Sequence, residues 1–571
     1  MPLLSNNPVS SPACPFSCPS SFYTAPRSPM SIADDDILPA AEGAQSPRYA
    51  YREAVPVNVE VKDHCHIYLD EQIYSTALTL INDLLVTGAS HPNHKTRPAV
   101  APDSHHIELT SALLLHPRPT SQKAQNLVIP SRAITILRNA LLILGPRNAN
   151  LKEALSFSPI VGSSKPRRSR KPIKYEDGSS ASDTEDKQEH INGVVANSGR
   201  IRRCAKDFWH TVGWAFNCSV VCPRRWKVWK VWLDYMLDAL EADWADRQRS
   251  DESKNSDNEE CWEQRRQSLL VKYLAHAVGQ SYAMKRIVRS AFADGGAESL
   301  KDFPEVFPNE TKRPKYHSGQ KRKRDDLKGK PFGNHDDEDE AEFESDDTSD
   351  SSQDVAGDDT MSGEIWSGGM DSMPLRQRVV MLLSRVSYFI PDCFANLQGV
   401  YDEIYQCTVR LPLQTFILFM STTESSRLPR DVFVSLAQLL LARLLPPSAP
   451  SPHTIEDRDD DGMTQMMLEK CFLPFAASNI SVTDNGRVSI LVENFLRILV
   501  KAGVCRYTSS LKTAVEKGIM ARENKAMKVD KRKRESDTRG KADEGDISML
   551  KASGYRMRCL ITVLKRAATI G

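Results

Sequence analysis

From residue 65 onward, apolar side chains recur three and four apart. Tyr68, Leu69, Ile73, Ala77, Leu80, Ile81, Leu84 and Leu85 form a helical stripe that ends at Gly88. A second helix is predicted to start at Ser131, an N-cap after Pro130, and to stop at Gly145-Pro146, with Ile134, Leu137, Leu141 and Leu144 facing a core. Six of the eight tryptophans then crowd into one window. Trp209 and Trp214 come first, and after Cys222-Pro223, a helix-start signal, Trp226, Trp229, Trp232 and Trp244 follow at helical spacing. The pattern predicts a helical hairpin whose stripe is Trp226, Trp229, Leu233, Met236, Leu240 and Trp244. A later helix should carry Leu269, Leu270, Tyr273, Leu274, Ala277, Val278 and Tyr282 on one face. Further helical stretches cover residues 375–389, a region through Tyr405, 413–420, 432–445, 463–475, 488–500 and 547–568, most of them set apart by Pro391, Pro412, Pro429 or Pro446.

Helix follows helix, with no β alternation and no βαβ rhythm. The expectation is an all-α, multi-helical fold, solenoid-like in the manner of ARM/HEAT stacking although no fixed repeat period is found, with long disordered charged linkers. The composition shifts divide the chain into a Ser/Pro-rich tail (1–50), an N-terminal helical block (51–161), a basic then acidic linker (162–199) and a tryptophan-rich block (200–308). A second basic then acidic linker (309–371), a C-terminal helical block (372–525), a basic polar insertion (526–546) and a last helix (547–571) follow.

Charge changes the picture by its distribution rather than its sum. Lys plus Arg is 75 and Asp plus Glu 74 in 571 residues, a net charge of +1, which fits neither a globally basic nucleic-acid binder nor an acidic solvating protein. Three basic runs stand out: Lys165, Arg167, Arg168, Arg170 and Lys171; Lys312 and Arg313 followed by Lys321, Arg322, Lys323 and Arg324; and Lys531, Arg532, Lys533 and Arg534. Each falls in an expected linker, where an import carrier can read an extended basic peptide, so they are candidate nuclear-localisation signals. The bland alternative for any one run is a solvated charge cluster. Residues 336–359 hold thirteen carboxylates and no Lys or Arg; this stretch could mimic a histone tail, shield the basic run before it, or only solubilise a linker. Ser182, Thr184, Ser345, Thr348 and Ser349 lie among carboxylates, a setting suited to acidophilic kinases.

Twelve cysteines at irregular spacing, among them Cys393, Cys407, Cys471 and Cys505 inside apolar helical patterns, read as reduced thiols of a nuclear or cytosolic protein. The start of the chain lacks the pattern of a secretory signal. The richest apolar runs, 134–144 and 436–445, are broken by Arg138 and Asn139 or by Gln438 and Arg443, short of the roughly 20 residues a membrane span needs.

Candidate chemistry is sparse. Trp209, Trp214, Trp226, Trp229, Trp232 and Trp244 mark a core or a partner groove, with core packing favoured because Arg224, Arg225, Lys227 and Lys230 interleave on a different helix face. Those cations beside aromatics also suit single-stranded nucleic acid. His64, Cys65 and His66 point apart on a helix, and Cys218 and Cys222 lack a second pair at zinc spacing, so no metal set is assigned. His91, His94, His105 and His106 are read as surface residues of a polar loop. Asp234, Asp238 and Glu241 are read as a solvated helix face. No phosphate loop, nucleophile elbow or cofactor motif occurs. The expectation is a nuclear, non-enzymatic helical scaffold or adaptor for nuclear proteins in a chromatin-linked process, with weak nucleic-acid or histone contact from its linkers. The alternatives are a direct nucleic-acid-binding or ribosome-assembly factor, and an enzyme with an unfamiliar helical active site.

Overall fold

The computed structural model describes residues 51–570 except 92, 94–95, 118–123, 158–190, 192, 194, 197–198, 254–261, 313–370, 424–425, 453–462 and 529–536. Among them the fold is all-α: twenty-one α-helices and one pair of three-residue strands, Ala54–Pro56 running parallel to Ala99–Ala101 in the register Ala54↔Ala99. The strand pair escapes the sequence pattern because three residues are too few to show alternation. Arg52 pins it, donating through Nε to Arg97 O (2.8 Å) and through Nη2 to Pro98 O (2.9 Å) and Thr87 O (3.2 Å).

One hydrophobic core runs from Cys65 to Leu564 through all three apolar stretches of the sequence. Its N-terminal part is built by the helices Val59–Asp70, Tyr74–Val86, Ser104–Leu115 and Ala124–Ile143. The first stripe is thus two helices, not one. Gln72, at φ +59°, takes the left-handed conformation and breaks the backbone ladder between them. The Ala124–Ile143 helix begins upstream of the Ser131 cap and passes through Pro130. The backbone bond that proline forfeits near the helix start is outweighed by burial of Ala133, Ile136, Leu137 and Ala140.

The middle of the fold is the hairpin of Phe208–Val221 and the 30-residue helix Pro223–Glu252, about 45 Å long at 1.5 Å per residue. Asp207 caps the first helix by accepting from the His210 N–H (2.7 Å), and Pro223 opens the second. Gly213 sits where a Cβ would lie 2.2 Å from the Phe303 ring, so only glycine lets this packing form. After Leu269–Leu274 the predicted helix stops in a 3₁₀ turn, Ala275–Ala277, followed by Gly279 at φ +70°. Val278 and Tyr282 consequently leave the stripe and are exposed.

The Met373–Phe389 helix lies against the long tryptophan helix and against Leu397–Thr408. Leu413–Phe419 and Arg430–Leu444 lead to Val482–Lys501, which packs on Ser509–Ala526 and on the terminal helix Asp537–Ile570. The terminal helix starts ten residues earlier than its apolar stripe, since a polar first stretch can be helical without contributing to a core. It buries Leu550, Met557, Ile561 and Leu564, and its Ser553 Oγ meets Ser489 Oγ at 2.9 Å. Among the described residues no helix is long and apolar enough to cross a membrane.

Candidate functional site

The six window tryptophans are all buried, each at 6% exposure or less, so they form core and not an open groove in this structure. Trp229 and Trp232 meet edge to face at 5.6 Å between ring centroids. Trp209 Nε1 donates to Tyr273 O and Trp232 Nε1 to Ser111 Oγ, both at 2.9 Å. Two further indole donors, those of Trp214 and Trp229, converge on a residue the charge pattern assigns to the start of a linker. Glu310, with a fully buried side chain, accepts from Trp229 Nε1 (2.5 Å) and Arg225 Nε (2.7 Å) at Oε1, and from Trp214 Nε1 (2.8 Å) and the Phe307 N–H (3.3 Å) at Oε2. Four donors thus satisfy one carboxylate, as a buried charge requires. Arg225, expected on the basic surface face, is instead turned inward onto this carboxylate and the Leu115 carbonyl. Burial and the Glu310 charge push the nearby Cys204 and Cys218 thiols up, so they are protonated at neutral pH.

A second anchor lies farther along the same helix. Arg378, from Met373–Phe389, donates to Asp234 (2.9 Å), Asp238 (2.6 Å) and Glu241 (2.6 Å), three carboxylates at helical i, i+4 and i+7 spacing. The expected solvated face is therefore a docking site for another helix: Asp234 and Glu241 are mostly covered, and only Asp238 remains half exposed. Burial acts against the Arg378 charge, but the three carboxylates overcome it and raise its pKa. At the far end, Arg265 stacks over Trp262 (4.3 Å), Phe389 (4.9 Å) and Trp244 (5.9 Å) and pairs with Asp251 (3.4 Å). Near the hairpin, Arg376 lies over Phe216 (4.2 Å) and donates to the carbonyls of Ala291 and Ala293 (2.8 Å each); burial lowers its pKa to about 9.

His106 is not a surface loop residue. It sits on the Ser104–Leu115 helix, 3% exposed, in a small niche with Val57, Cys65, Ile81, Leu84, Val100 and Pro102, and burial depresses its pKa to about 4. His210 is neutral for the same reason, its Nε2–H facing Pro304 O (2.9 Å) while Nδ1 accepts from the Lys206 N–H. Cys65 is buried, His64 is exposed and His66 lies between, so the three do not converge. No group of three His, Cys, Asp or Glu side chains among the described residues is placed to hold a metal ion.

Of the basic runs, Lys312 is described and exposed; Lys165, Arg167, Arg168, Arg170, Lys171, Arg313, Lys321, Arg322, Lys323, Arg324, Lys531, Arg532, Lys533 and Arg534 lie outside the described residues, as do Ser182, Thr184, Ser345, Thr348, Ser349 and His94. Their flanks are described and anchored. Phe157 packs on Phe208 and Tyr273, and Ile191 is buried, on either side of the first run. Glu310 and Asp371 bracket the second, and Asp371 pairs with Lys230 (2.8 Å). Buried Ala526 and Asp546, which accepts from Thr483 Oγ1 (2.6 Å), bracket the third.

Glu310, Arg378, Arg376 and Arg265 are the groups that pattern reading misses. Their signal would be charged residues standing at core-facing register positions. For Arg378 that register is legible, since it shares a helix with Val379 and Leu382; for Glu310 no periodic element surrounds it. The fold and its charged anchors define an all-α, multi-helical protein held around one long aromatic helix. The chain matches no protein-family model, no curated protein and no solved structure.

Proposed function

We propose that this chain is a nuclear, non-enzymatic helical scaffold or adaptor that works through protein–protein contacts in a chromatin-linked process, genome maintenance or transcription control. The observation that carries the reading is the relation between the basic runs and the core. Each run is flanked on both sides by residues tied to the folded helices, by apolar burial at Phe157, Ile191 and Ala526 and by ion pairs or hydrogen bonds at Glu310, Asp371 and Asp546, so a carrier or partner engaging a run engages the fold. Three buried charged groups support a scaffolding role, because each is occupied in holding one segment to another: Glu310 the hairpin, Arg378 the Met373–Phe389 helix, Arg376 the carbonyls after Ser281–Ser290. The runs serve as import signals and give weak contact with nucleic acid or histones.

The test is affinity purification of the full-length chain from nuclear extract, with and without nuclease, beside microscopy of a fluorescent fusion. A stoichiometric, nuclease-resistant partner set and nuclear signal that is lost when Lys165–Lys171, Lys321–Arg324 and Lys531–Arg534 are neutralised together are expected. A cytosolic full-length fusion, or an absence of partners, overturns the proposal. Direct nucleic-acid binding is a second reading, favoured by Arg224 and Lys227, which are exposed at one end of the tryptophan helix. It calls for partners that vanish with nuclease and an affinity that falls steeply with salt.

A further inference from the structure

Two helices of this fold expose apolar side chains on faces of opposite charge. On the Val59–Asp70 helix, Cys65 and Leu69 are buried in the core, and the helical period puts Val59, Glu60, Asp63, Ile67 and the capping Glu71 together on the other side. Val59 and Ile67 are each more than half exposed. Glu60, Asp63 and Glu71 are exposed and enter no ion pair among the described residues. No Lys or Arg shares their face, since Lys62 is turned to Asp103 (2.8 Å).

The Asp537–Ile570 helix is the converse. It buries Met557, Ile561 and Leu564, and its outer side presents Tyr555, Cys559 and Val563 with Lys551, Lys565 and Arg566 beside them. Tyr555 and Val563 are again each more than half exposed. Residues 547–571 hold five cations and no carboxylate. Arg556 and Arg558 are taken by Glu493 (2.6 Å) and Glu516 (3.1 Å), whereas Lys551, Lys565 and Arg566 are exposed and enter no ion pair among the described residues. The two faces match in more than sign. Val59 to Ile67 and Tyr555 to Val563 both span about 12 Å along their helices. Laid antiparallel with Ile67 over Tyr555 and Val59 over Val563, Glu71 comes opposite Lys551, and Glu60 lies about one turn from Lys565 and Arg566.

Both faces are open on the same folded chain, so neither covers the other, and they can meet only between two copies. We propose that the Val59–Ile67 face of one copy docks on the Tyr555–Val563 face of a second, as an antiparallel helix pair with apolar contacts along its middle and ion pairs at its edges. The contact is heterologous, a different surface on each side, so each copy offers one face to the copy before it and another to the copy after. One pair of short helices falls at or below the roughly 1,000 Å² of a stable interface, so the association is weak and concentration-dependent. Because exposed charge carries part of it, salt weakens it. This inference does not depend on the nuclear reading.

The experiment is sedimentation velocity of the purified, nuclease-treated full-length chain as its concentration is raised from micromolar to hundreds of micromolar. The sedimentation coefficient should climb with concentration, and the association should weaken severalfold between about 50 mM and about 0.5 M salt. Two charge reversals at exposed positions separate this contact from any other: Glu60→Lys with Asp63→Lys and Glu71→Lys in one variant, and Lys551→Glu with Lys565→Glu and Arg566→Glu in the other. Each variant should keep a cooperative circular-dichroism melt and sediment as a single copy, because its two faces now carry the same sign. Mixed in equal amounts, the two variants should associate again, since the acidic faces of one then meet the basic faces of the other. Tyr555→Ser, which alters no charge, should weaken self-association severalfold. A chain that stays a single copy at every concentration, association indifferent to either reversal or to Tyr555→Ser, or reversed variants that do not associate when mixed each overturn the proposal.

Discussion

Replacing Glu310 by Gln keeps the shape of the side chain and removes its charge. The two oxygens of Glu310 serve four donors: Trp214 and Trp229 indole N–H, Arg225 Nε and the Phe307 N–H. Glutamine offers one oxygen, and its NH₂ must then face donors. The Arg225 guanidinium, itself buried, loses its carboxylate. Removing one partner of a buried pair costs about 3–5 kcal/mol, and each stranded donor about 1–3 kcal/mol. These losses overlap because all arise at one carboxylate, so about 4 kcal/mol is expected for Glu310→Gln and about 3 kcal/mol for Arg225→Met. The double variant leaves no unpaired charge. It should lose about 4 kcal/mol rather than the sum, a coupling of at least about 2 kcal/mol. Urea unfolding followed by tryptophan emission and far-UV circular dichroism measures all three. A loss below about 1 kcal/mol for Glu310→Gln, or single losses that simply add, would refute the assignment of Glu310 as the group that closes the hairpin.

The second anchor should behave similarly: Arg378→Met leaves Asp234, Asp238 and Glu241 facing one another and should cost about 2–4 kcal/mol, whereas Asp238→Asn, at a half-exposed site, should cost under about 1 kcal/mol in the same urea assay. His106 supplies an acid dependence. Its pKa is depressed by burial to about 4 in the fold, against about 6.5 unfolded, so on acidification the unfolded chain takes up the proton first; stability is full above about pH 6.5 and declines toward pH 4, by about 2 kcal/mol at pH 5. Melting at pH 7 and pH 5 should show this difference shrinking by that amount in His106→Leu, and an unchanged difference would refute it. Gly518 reverses a general trend: glycine to alanine in a helix usually stabilises by about 1 kcal/mol, but a Cβ here would lie 1.7 Å from Leu473 O, so Gly518→Ala should destabilise, and a raised melting temperature would refute the packing. Exchanging 314–369 for a 12-residue Gly/Ser linker should leave the melt within a few degrees, because Glu310 and Asp371 are both held by the tryptophan helix; loss of the cooperative transition would refute that placement.

Helices were legible wherever a stripe of apolar residues was long and its ends carried a cap or a break. Trp226, Trp229, Leu233, Met236, Leu240 and Trp244 needed nothing beyond their spacing, and all are buried. Local conformation was less legible. Gln72 and Gly279 take positive φ and interrupt stripes that remain periodic on both sides, because side-chain spacing does not record the backbone dihedral between two helices. Charged residues were the least legible. Asp234, Asp238 and Glu241 have the spacing of a solvated face, and only the arrival of Arg378 from a helix some 140 positions later makes them an interface. His106 was misread for the same kind of reason: a polar neighbourhood in sequence became an apolar niche once Val57, Cys65 and Ile81 closed around it.

The placement of these ions explains why a fold with so many charged insertions still has one core. An apolar stripe fixes that two helices meet but leaves their register loose, since neighbouring turns of Leu and Val are nearly equivalent. A buried ion with several directional partners removes that freedom. Arg378 meets its three carboxylates in one register only, and Glu310 meets two indoles and Arg225 in one only. A shift by one turn would leave buried charge unpaired, at a cost of several kcal/mol. Both ties lie on the tryptophan helix, and both hold segments that follow it in sequence, one of them reached through residues 313–370. That segment can therefore change its length or its phosphorylation without loosening the core, because the residues that set register stand at its borders and beyond.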